Sequence, residues 1–307
     1  MMGKSDRKTG FFRGAAVSSH AALLLIFILG FMMTACAGEA SGTGRAAPDT
    51  DWQTERESRD FRTRQDRRTE PEDETQVIQM DLDACQSQVL IEQSGDVRLF
   101  GSLQGQVVVD VDEDELVHLY LAGVDITSEN GPAVLVREAS KLIVTLVSGT
   151  ENVLADSPNY RDYEETPACF YSVCDLTING DGALSVCGYH GDGIRGRDRI
   201  KLLDGRVAVQ AKGDGIRGND GIFARDASVE VQSEKNGLRT ANQGTGDRGV
   251  IEVNGGTLSV VAGKRGIYAA ADLYLFPDTC SVNAVEEKAG AEGTAYIAGD
   301  CLEALGN

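Results

Sequence analysis

Acidic and basic side chains recur at a fixed interval in the second half of this chain. GDGIRG fills residues 191–196 and again 213–218, and KNGLRT fills 235–240, so successive copies start 22 residues apart (213 − 191 and 235 − 213). A weaker copy, KRGIYA, starts at Lys264 after one period and an insert. A period of this length is typical of a solenoid, in which equivalent side chains lie above one another and form rows.

Two of the rows contain the oxygen ligands that calcium prefers. One register contains Asp192, Asp214 and Asn236; a second register, six residues later, contains Asp198, Asp220 and Asn242. Carboxylates stacked about 4.8 Å apart repel one another unless a positive charge lies between them. Ca²⁺ takes about six to eight oxygens from carboxylates, amides and backbone carbonyls, so both rows are candidate calcium ligands.

A row of cations offers a second way to neutralise these acids. Arg195, Arg217 and Arg239 follow the first acidic row by three residues. Asp–Arg pairs along the coil edge would compensate the carboxylates without a metal, and the residues alone leave both alternatives open.

The same cations are candidates for ligand recognition. Guanidinium groups bind carboxylates through two parallel hydrogen bonds, so the arginines, together with Lys212 and Tyr189, are candidate contacts for an extended polysaccharide. A salt-bridged structural row is the plainer alternative. Nucleic acid is excluded as a partner by the net charge of −19, which becomes −19 − 3 = −22 without residues 1–35.

Catalysis has less support from the residues. Elimination of the pectate-lyase type needs a Lys or Arg of lowered pKa beside a calcium-bound uronate, and Lys212, Lys235 and the three arginines are nominal candidates. Because several coils present the same cation, the pattern singles out none of them and favours binding. We therefore predict no catalytic residue.

The segments that must position these rows have the pattern of short β-strands. Runs such as QVVVDV, KLIVTL and ALSVCG are separated by Gly- and Asp-rich turns, and no stretch has a helical period. About 22 residues accommodate three short strands and three turns, which predicts an all-β, three-faced parallel β-helix. The inward column would contain Ile194, Ile216, Leu238 and Ile267, each preceded by a glycine at a turn or close approach.

The N-terminus has the pattern of an exported lipoprotein. A basic start and the apolar run 21–33 end in Thr34-Ala35-Cys36, which resembles a lipobox, so we predict a signal peptide over 1–36 with lipid on Cys36. An uncleaved membrane anchor is the alternative. Both place the protein at the extracellular face of the cell membrane. The charged residues 37–76 are predicted to form a disordered tether.

Six more cysteines allow disulfides in an exported chain, with fifteen possible pairings. The alternative is that some are small buried hydrophobes.

In the order and spacing of its blocks, the sequence resembles bacterial carbohydrate-binding lipoproteins with a polysaccharide-lyase-like, calcium-binding, right-handed parallel β-helix. The resemblance covers about residues 97–271 and rests on the blocks 105–136, 141–156 and 175–186 (DLTINGDGALSV) and on the GDGIRG coils. It implies a surface domain that binds plant-type polysaccharide, with calcium held between coils. The acidic positions that it indicates are Asp175, Asp192, Asp198, Asp214 and Asp220.

The later copies depart from the family pattern, with Asn236 and then Arg265 at the acidic position. We therefore expect irregular N-terminal coils and a cap over 77–170, GDGI-type coils over 171–276 and an irregular tail over 277–307. The predicted function is calcium-dependent polysaccharide binding by a monomer without catalysis. A polysaccharide lyase and a structural surface stalk are the alternatives.

Overall fold

The computed structural model describes residues 45–46, 61–158, 160, 166–244, 246–298, 301 and 305. The predicted signal peptide and the predicted lipidation site, Cys36, lie outside these residues. The described part is nearly all β, with two short 3₁₀ helices, η1 (Glu74–Gln76) and η2 (Leu82–Ala84). Within it, no helix combines the length and apolar character needed to cross a membrane.

The strands are short and follow one another along the whole described chain. The first nine are β1 (Arg45–Ala46), β2 (Ile78–Asp81), β3 (Gln88–Ile91), β4 (Gly95–Gln104), β5 (Gln106–Asp110), β6 (Leu116–Ser128), β7 (Val134–Glu138), β8 (Lys141–Leu146) and β9 (Glu151–Asp156). The next nine are β10 (Ala168–Ser172), β11 (Asp175–Asn179), β12 (Ala183–Gly188), β13 (Asp192–Gly196), β14 (Arg199–Leu203), β15 (Arg206–Ala211), β16 (Ile216–Gly218), β17 (Gly221–Arg225) and β18 (Ser228–Ser233). The last eight are β19 (Leu238–Thr240), β20 (Val250–Asn254), β21 (Thr257–Ala262), β22 (Arg265–Ala269), β23 (Leu273–Phe276), β24 (Thr279–Ala284), β25 (Glu287–Ala291) and β26 (Ala295–Ile297).

These strands form three ladders of parallel pairs, which the chain visits in turn. One ladder runs β2, β4, β6, β8, β11, β14, β17, β20, β23 and β26. A second runs β6, β9, β12, β15, β18, β21 and β24, and the long strands β4 and β6 join it to the first in one 17-stranded sheet. The third is a nine-stranded sheet, β3, β5, β7, β10, β13, β16, β19, β22 and β25. This order is consistent with a parallel β-helix-like fold.

The inward column predicted from the repeat is confirmed. Ile194 pairs with Ile216, Ile216 with Leu238 and Leu238 with Ile267, and all four side chains are fully buried. The glycine before each of them allows close approach of the backbone. A Cβ on Gly193 would lie 2.2 Å from Cγ1 of Val209 and 2.8 Å from the carbonyl oxygen of Gly215. A larger residue at these glycine positions would push neighbouring coils apart, so the glycines are needed for the close stacking of the coils.

The segment predicted as the end of a disordered tether packs on the first ladder instead. Residues 61–76, hereafter the strap, bury Asp66 completely and pair Arg68 with Asp96 and Glu74 with Arg98. These partners lie far along the chain, so local charge density gave no sign of them. Upstream of the strap, β1 pairs in parallel with β26.

The tail, predicted to be irregular, adds another coil. β24, β25 and β26 extend the three ladders in the established order. A disulfide joins Cys280 in β24 to Cys301. Three of the other cysteines, Cys169, Cys174 and Cys187, are buried thiols, as the hydrophobic alternative expected.

Candidate functional site

The three arginines predicted to stack do so, on the outer side of the third ladder. Arg195 pairs with Arg217 and Arg217 with Arg239, one residue after the inward aliphatic column. Successive residues of a strand point to opposite faces, so an arginine that follows a buried isoleucine must face outward. We call these three residues the arginine row.

The first acidic row lies directly beside the arginine row. Oδ1 of Asp192 accepts a hydrogen bond from the backbone N–H of Asp214 at 2.8 Å, and Oδ1 of Asp214 accepts from the N–H and the amide of Asn236 at 3.1 and 2.7 Å. The predicted vertical stacking of Asp192 and Asp214 is therefore present. All three side chains are buried.

The second carboxylate oxygens of this row face the arginines. Asp192 Oδ2 lies 3.5 Å from Arg195, and Asp214 Oδ2 lies 3.4 Å from Arg239 and 4.0 Å from Arg217. Both acids are thus engaged by backbone or side-chain donors and by guanidinium groups. The ion-pair ladder, one of the two alternatives, is a sufficient account of this row, and calcium ligation by Asp192, Asp214 and Asn236 stays a prediction.

The charges of the row do not balance. Burial and the neighbouring Asp214 raise the pKa of Asp192 to about 6, while burial and the flanking Arg195 and Arg239 lower the pKa of Arg217. Three cations face two carboxylates because the third coil has Asn236. In that coil the buried Oδ1 of Asn236 and Nε of Arg239 have no hydrogen-bond partner. The third coil is therefore the least compensated part of the row.

The second acidic row is more open to solvent and less well compensated. Asn242 donates to Asp220 at 2.7 Å, and Arg248 lies 3.5 Å from the same carboxylate. Burial and the neighbouring carboxylates of Asp175 and Asp220 raise the pKa of Asp198. Like charges held together in this way are the environment that a bound cation would relieve.

The donor chemistry separates the two rows as calcium candidates. Oxygens of Asp175, Asp198 and Asp220 fit a hard cation, because Ca²⁺ prefers carboxylate and backbone oxygens. Among the described residues, however, no group of three or more His, Cys, Asp and Glu side chains is arranged to hold a metal. A calcium ion at this row would therefore have to draw on at most two carboxylates and complete its shell with carbonyls and water.

Two tyrosines that the sequence did not single out bracket the arginine row. Tyr171 pairs with Arg195 at one end, and Arg239 pairs with Tyr268 at the other. The guanidinium carbon of Arg265 stacks 3.6 Å from the ring centre of Tyr268. Aligning KRGIYA with GDGIRG already puts Tyr268 in the arginine register, whereas Tyr171 is 24 residues before Arg195 and was hidden by the changed spacing.

A depression of about 600 Å³ lies over the first half of the row. Its lining residues are Tyr171, Arg195, Gly196, Arg197, Arg217 and Asn219. Tyr189 and Lys212 belong to the turn between the second and third ladders, where the N–H of Lys212 donates to Gly188. Burial and Cys187 raise the pKa of Tyr189 to about 12. The structure thus unites the three arginines and places the other two candidates on the turn before the acidic row.

The fold and the site define a class of protein in which parallel β ladders carry an outward row of arginines across neighbouring strands. Comparison with known proteins agrees with that class. The family model described as "Carbohydrate-binding domain-containing protein" matches residues 85–304. A carbohydrate-binding domain-containing protein of Acetivibrio thermocellus is 38% identical over 206 residues, which cover 66% of this chain and 72% of that protein.

A solved structure supports the same assignment. The polysaccharide lyase-like protein from C. thermocellum, determined as a gadolinium derivative, aligns with a TM-score of 0.69 and 25% identity over 73% of this chain and 97% of its own. The chain belongs to the family of carbohydrate-binding domain-containing proteins.

Proposed function

We propose that this protein binds polysaccharide along the arginine row and that it does so without catalysis. The observation that carries the proposal is the row itself: three arginines on neighbouring strands, each about a quarter to a third exposed, lie beside two carboxylates. Hydroxyl and carboxylate oxygens of a sugar are acceptors for the N–H groups that these arginines expose. Tyr171 lines the depression over Arg195 and Arg217 at one end of the row, and the ring of Tyr268 stacks with Arg265 at the other.

The spacing of the row suits a repeating polymer. Each parallel strand step is about 4.8 Å, so Tyr171 and Tyr268, four pairings apart, are separated by roughly 19 Å. A ligand with several similar units gains from contacts of modest strength that are repeated along its length, because only the first contact bears the full cost of losing translational freedom.

Calcium dependence is part of the proposal and is assigned to the second acidic row. Asp198 and Asp220 would hold the ion, and the charge that Ca²⁺ supplies there would offset the burial and the carboxylate repulsion that together raise the pKa of Asp198. A right-handed, three-faced winding of the ladders, a lipid anchor on Cys36 and a location at the extracellular face of the membrane complete the proposal.

Retention on an insoluble polysaccharide tests the binding surface. Arg217→Gln removes the central cation of the row, and we expect at least about a tenfold weaker apparent affinity, as for loss of a central interface arginine. Arg137→Gln is the matched control, since Arg137 is half exposed and only 3.7 Å from the half-exposed Asp110. Equal retention of the two variants would remove the arginine row from the proposal.

Calorimetric titration with Ca²⁺ tests the metal assignment. We expect Asp198→Asn with Asp220→Asn to abolish the binding heat and EDTA to lower polysaccharide retention by the parent protein. Asp226→Asn is the control, because Asp204 and Asp226 form another pair of neighbouring carboxylates, in which burial and Asp226 raise the pKa of Asp204. Loss of calcium binding in the control alone would show that the second acidic row is the wrong site.

The lyase alternative is tested on polygalacturonate with calcium. Elimination creates an unsaturated product that absorbs ultraviolet light, and the proposal predicts no rise in absorbance. A rise that depends on Lys212 or an arginine of the row would replace binding with catalysis as the function.

A further inference from the structure

A second cationic site lies on the outer side of the first ladder, beneath the strap. Lys141, Thr177 and Lys201 belong to three neighbouring strands, β8, β11 and β14. All three side chains donate to the carboxylate of Asp66: Lys141 and Thr177 to Oδ1, the latter at 2.5 Å, and Lys201 to Oδ2 at 2.9 Å. None of these four residues is more than 9% exposed.

The strap presents this carboxylate through a local turn. Residues 64–67 form the turn, and Oδ2 of Asp66 accepts from the N–H of Thr63 at 2.7 Å. The amide of Asn179 donates to the carbonyl oxygens of Asp66 and Arg68 at 2.8 and 3.0 Å. The sheet therefore supplies donors and the strap supplies acceptors, which is the relation between a binding site and an anionic ligand.

Further contacts hold the strap on both sides of Asp66. Phe61 packs on Phe223 with ring centres 4.8 Å apart, and its carbonyl oxygen accepts from Lys201 at 2.8 Å. Arg68 pairs with Asp96 through two hydrogen bonds of 2.6 Å, and Glu74 pairs with Arg98. Between these contacts, Asp66 supplies the carboxylate that compensates Lys141 and Lys201. Without a carboxylate there, two buried ammonium groups would face each other without compensation, which is strongly unfavourable.

Open space adjoins the strap on the same outer side of the sheet. A depression of about 400 Å³ is bounded by the strap at Thr69 and Glu70 and by the sheet at Arg98, Tyr120 and Thr145. The guanidinium carbon of Arg98 lies 5.7 Å from the ring centre of Tyr120. The lining of this depression also includes Asp181 and Asp204, so it favours the hydroxyl-bearing part of a ligand over a second carboxylate.

We propose that Lys141, Thr177 and Lys201 form a carboxylate-binding site that Asp66 fills from within the chain, and that this site takes the carboxylate of a uronate sugar when the strap is displaced. The carboxylate chemistry follows from the three donors. The choice of a sugar as its carrier rests on the proposed function. The strap is then an internal competitor whose removal adds an acid-selective site to the protein.

The test uses the full chain in an Arg217→Gln background, so that the arginine row does not contribute. Binding of trigalacturonate is measured by calorimetry with and without Asp66→Ala. We expect Asp66→Ala to tighten binding at least tenfold, Lys201→Met to cancel that gain, and the methyl ester of the same trisaccharide to show no gain. Unchanged affinity in Asp66→Ala, or an equal gain for the ester, would overturn the proposal.

A second variant covers the case in which Asp66→Ala does not fold. Phe61→Ala loosens the strap and leaves every charge in place, and we expect a smaller gain of a fewfold that again requires Lys201. No gain, or a gain that survives Lys201→Met, would also overturn the proposal. These outcomes are independent of polysaccharide retention by the parent protein, which depends on Arg217, so the failure of one proposal is distinguishable from the failure of the other.

Discussion

The arginine row and the site beneath the strap both contain pairs of acidic and basic side chains, but the pairs differ in burial and distance. In the arginine row, the guanidinium groups are about a quarter to a third exposed, and the pairs to Asp192 and Asp214 are 3.4–4.0 Å long. Beneath the strap, Asp66 has no exposed side-chain surface and Lys201 lies 2.9 Å away. The first arrangement leaves its cations accessible to a ligand. In the second, the cations are buried and paired with a carboxylate of the same chain.

The comparison indicates that the burial of a charged side chain, more than its pairing, determines whether that side chain is available to a ligand. In the arginine row the carboxylates are buried but the guanidinium groups are partly exposed, so water screens the pairs and the cations remain available for binding. A buried pair contributes little net stability, but removing one partner is costly because the other charge stays desolvated. Asp66 faces two lysines and the arginine row places three cations beside two carboxylates, although the whole chain has a net charge of −19.

The largest expected effect concerns the column that holds both surfaces in register. Ile216→Asp would bury a charge among Ile194, Leu238 and Val231, and we expect a loss of at least about 4 kcal/mol in the free energy of unfolding. Thermal and denaturant unfolding measure it. Ile216→Val, which keeps an apolar side chain, should lose only about 1 kcal/mol; similar losses in the two variants would mean that the column does not set the register.

The next effect separates buried from exposed pairs directly. Asp66→Asn leaves Lys141 and Lys201 without an anion and should cost about 3–5 kcal/mol. Asp110→Asn breaks the exposed pair with Arg137 and should cost less than about 0.5 kcal/mol. Denaturant titration of both variants at pH 7 measures the contrast, and equal costs would remove the distinction between the two surfaces.

The Asp66 contribution also has a defined pH dependence. The two lysines and Thr177 hold the pKa of Asp66 well below its ordinary value in spite of burial. Its stabilising contribution is therefore complete above the unfolded-state pKa of about 4 and declines as the pH falls below it. The stability difference between the parent protein and Asp66→Asn should shrink in that direction.

The smallest expected effect has the opposite sign and belongs to the arginine row. Since the pKa of Asp192 is raised to about 6, its protonated form favours folding below about pH 4, and that contribution is lost as the pH rises through 6. Across this window the parent protein should lose about 1–3 kcal/mol relative to Asp192→Asn, measured as unfolding free energy against pH. A difference that stays flat, as expected of Asp110→Asn, would show that Arg195 compensates Asp192 fully.

The repeat, and the stacking that follows from its period, could be predicted from the amino-acid sequence alone. Identical spacing of 22 residues put Ile194 over Ile216, Asp192 beside Asp214 and Arg195 over Arg217, because parallel strands with equal coil lengths have no other register. The position of Tyr171 beside Arg195 could not be predicted in this way, since the coil before Arg195 has a different length. The glycines mark where the coils approach most closely, which only that residue permits.

The packing of the strap, in contrast, is visible only in the tertiary structure. Asp66 meets Lys141, Thr177 and Lys201, which are 75, 111 and 135 residues away, and no local pattern encodes a contact at such separation. A densely charged segment with few apolar residues has the composition of a disordered chain. It becomes ordered only where a complementary charged surface removes it from water. The folded sheet creates that surface by bringing three strands together, and the charge pattern of the segment then specifies a bound turn.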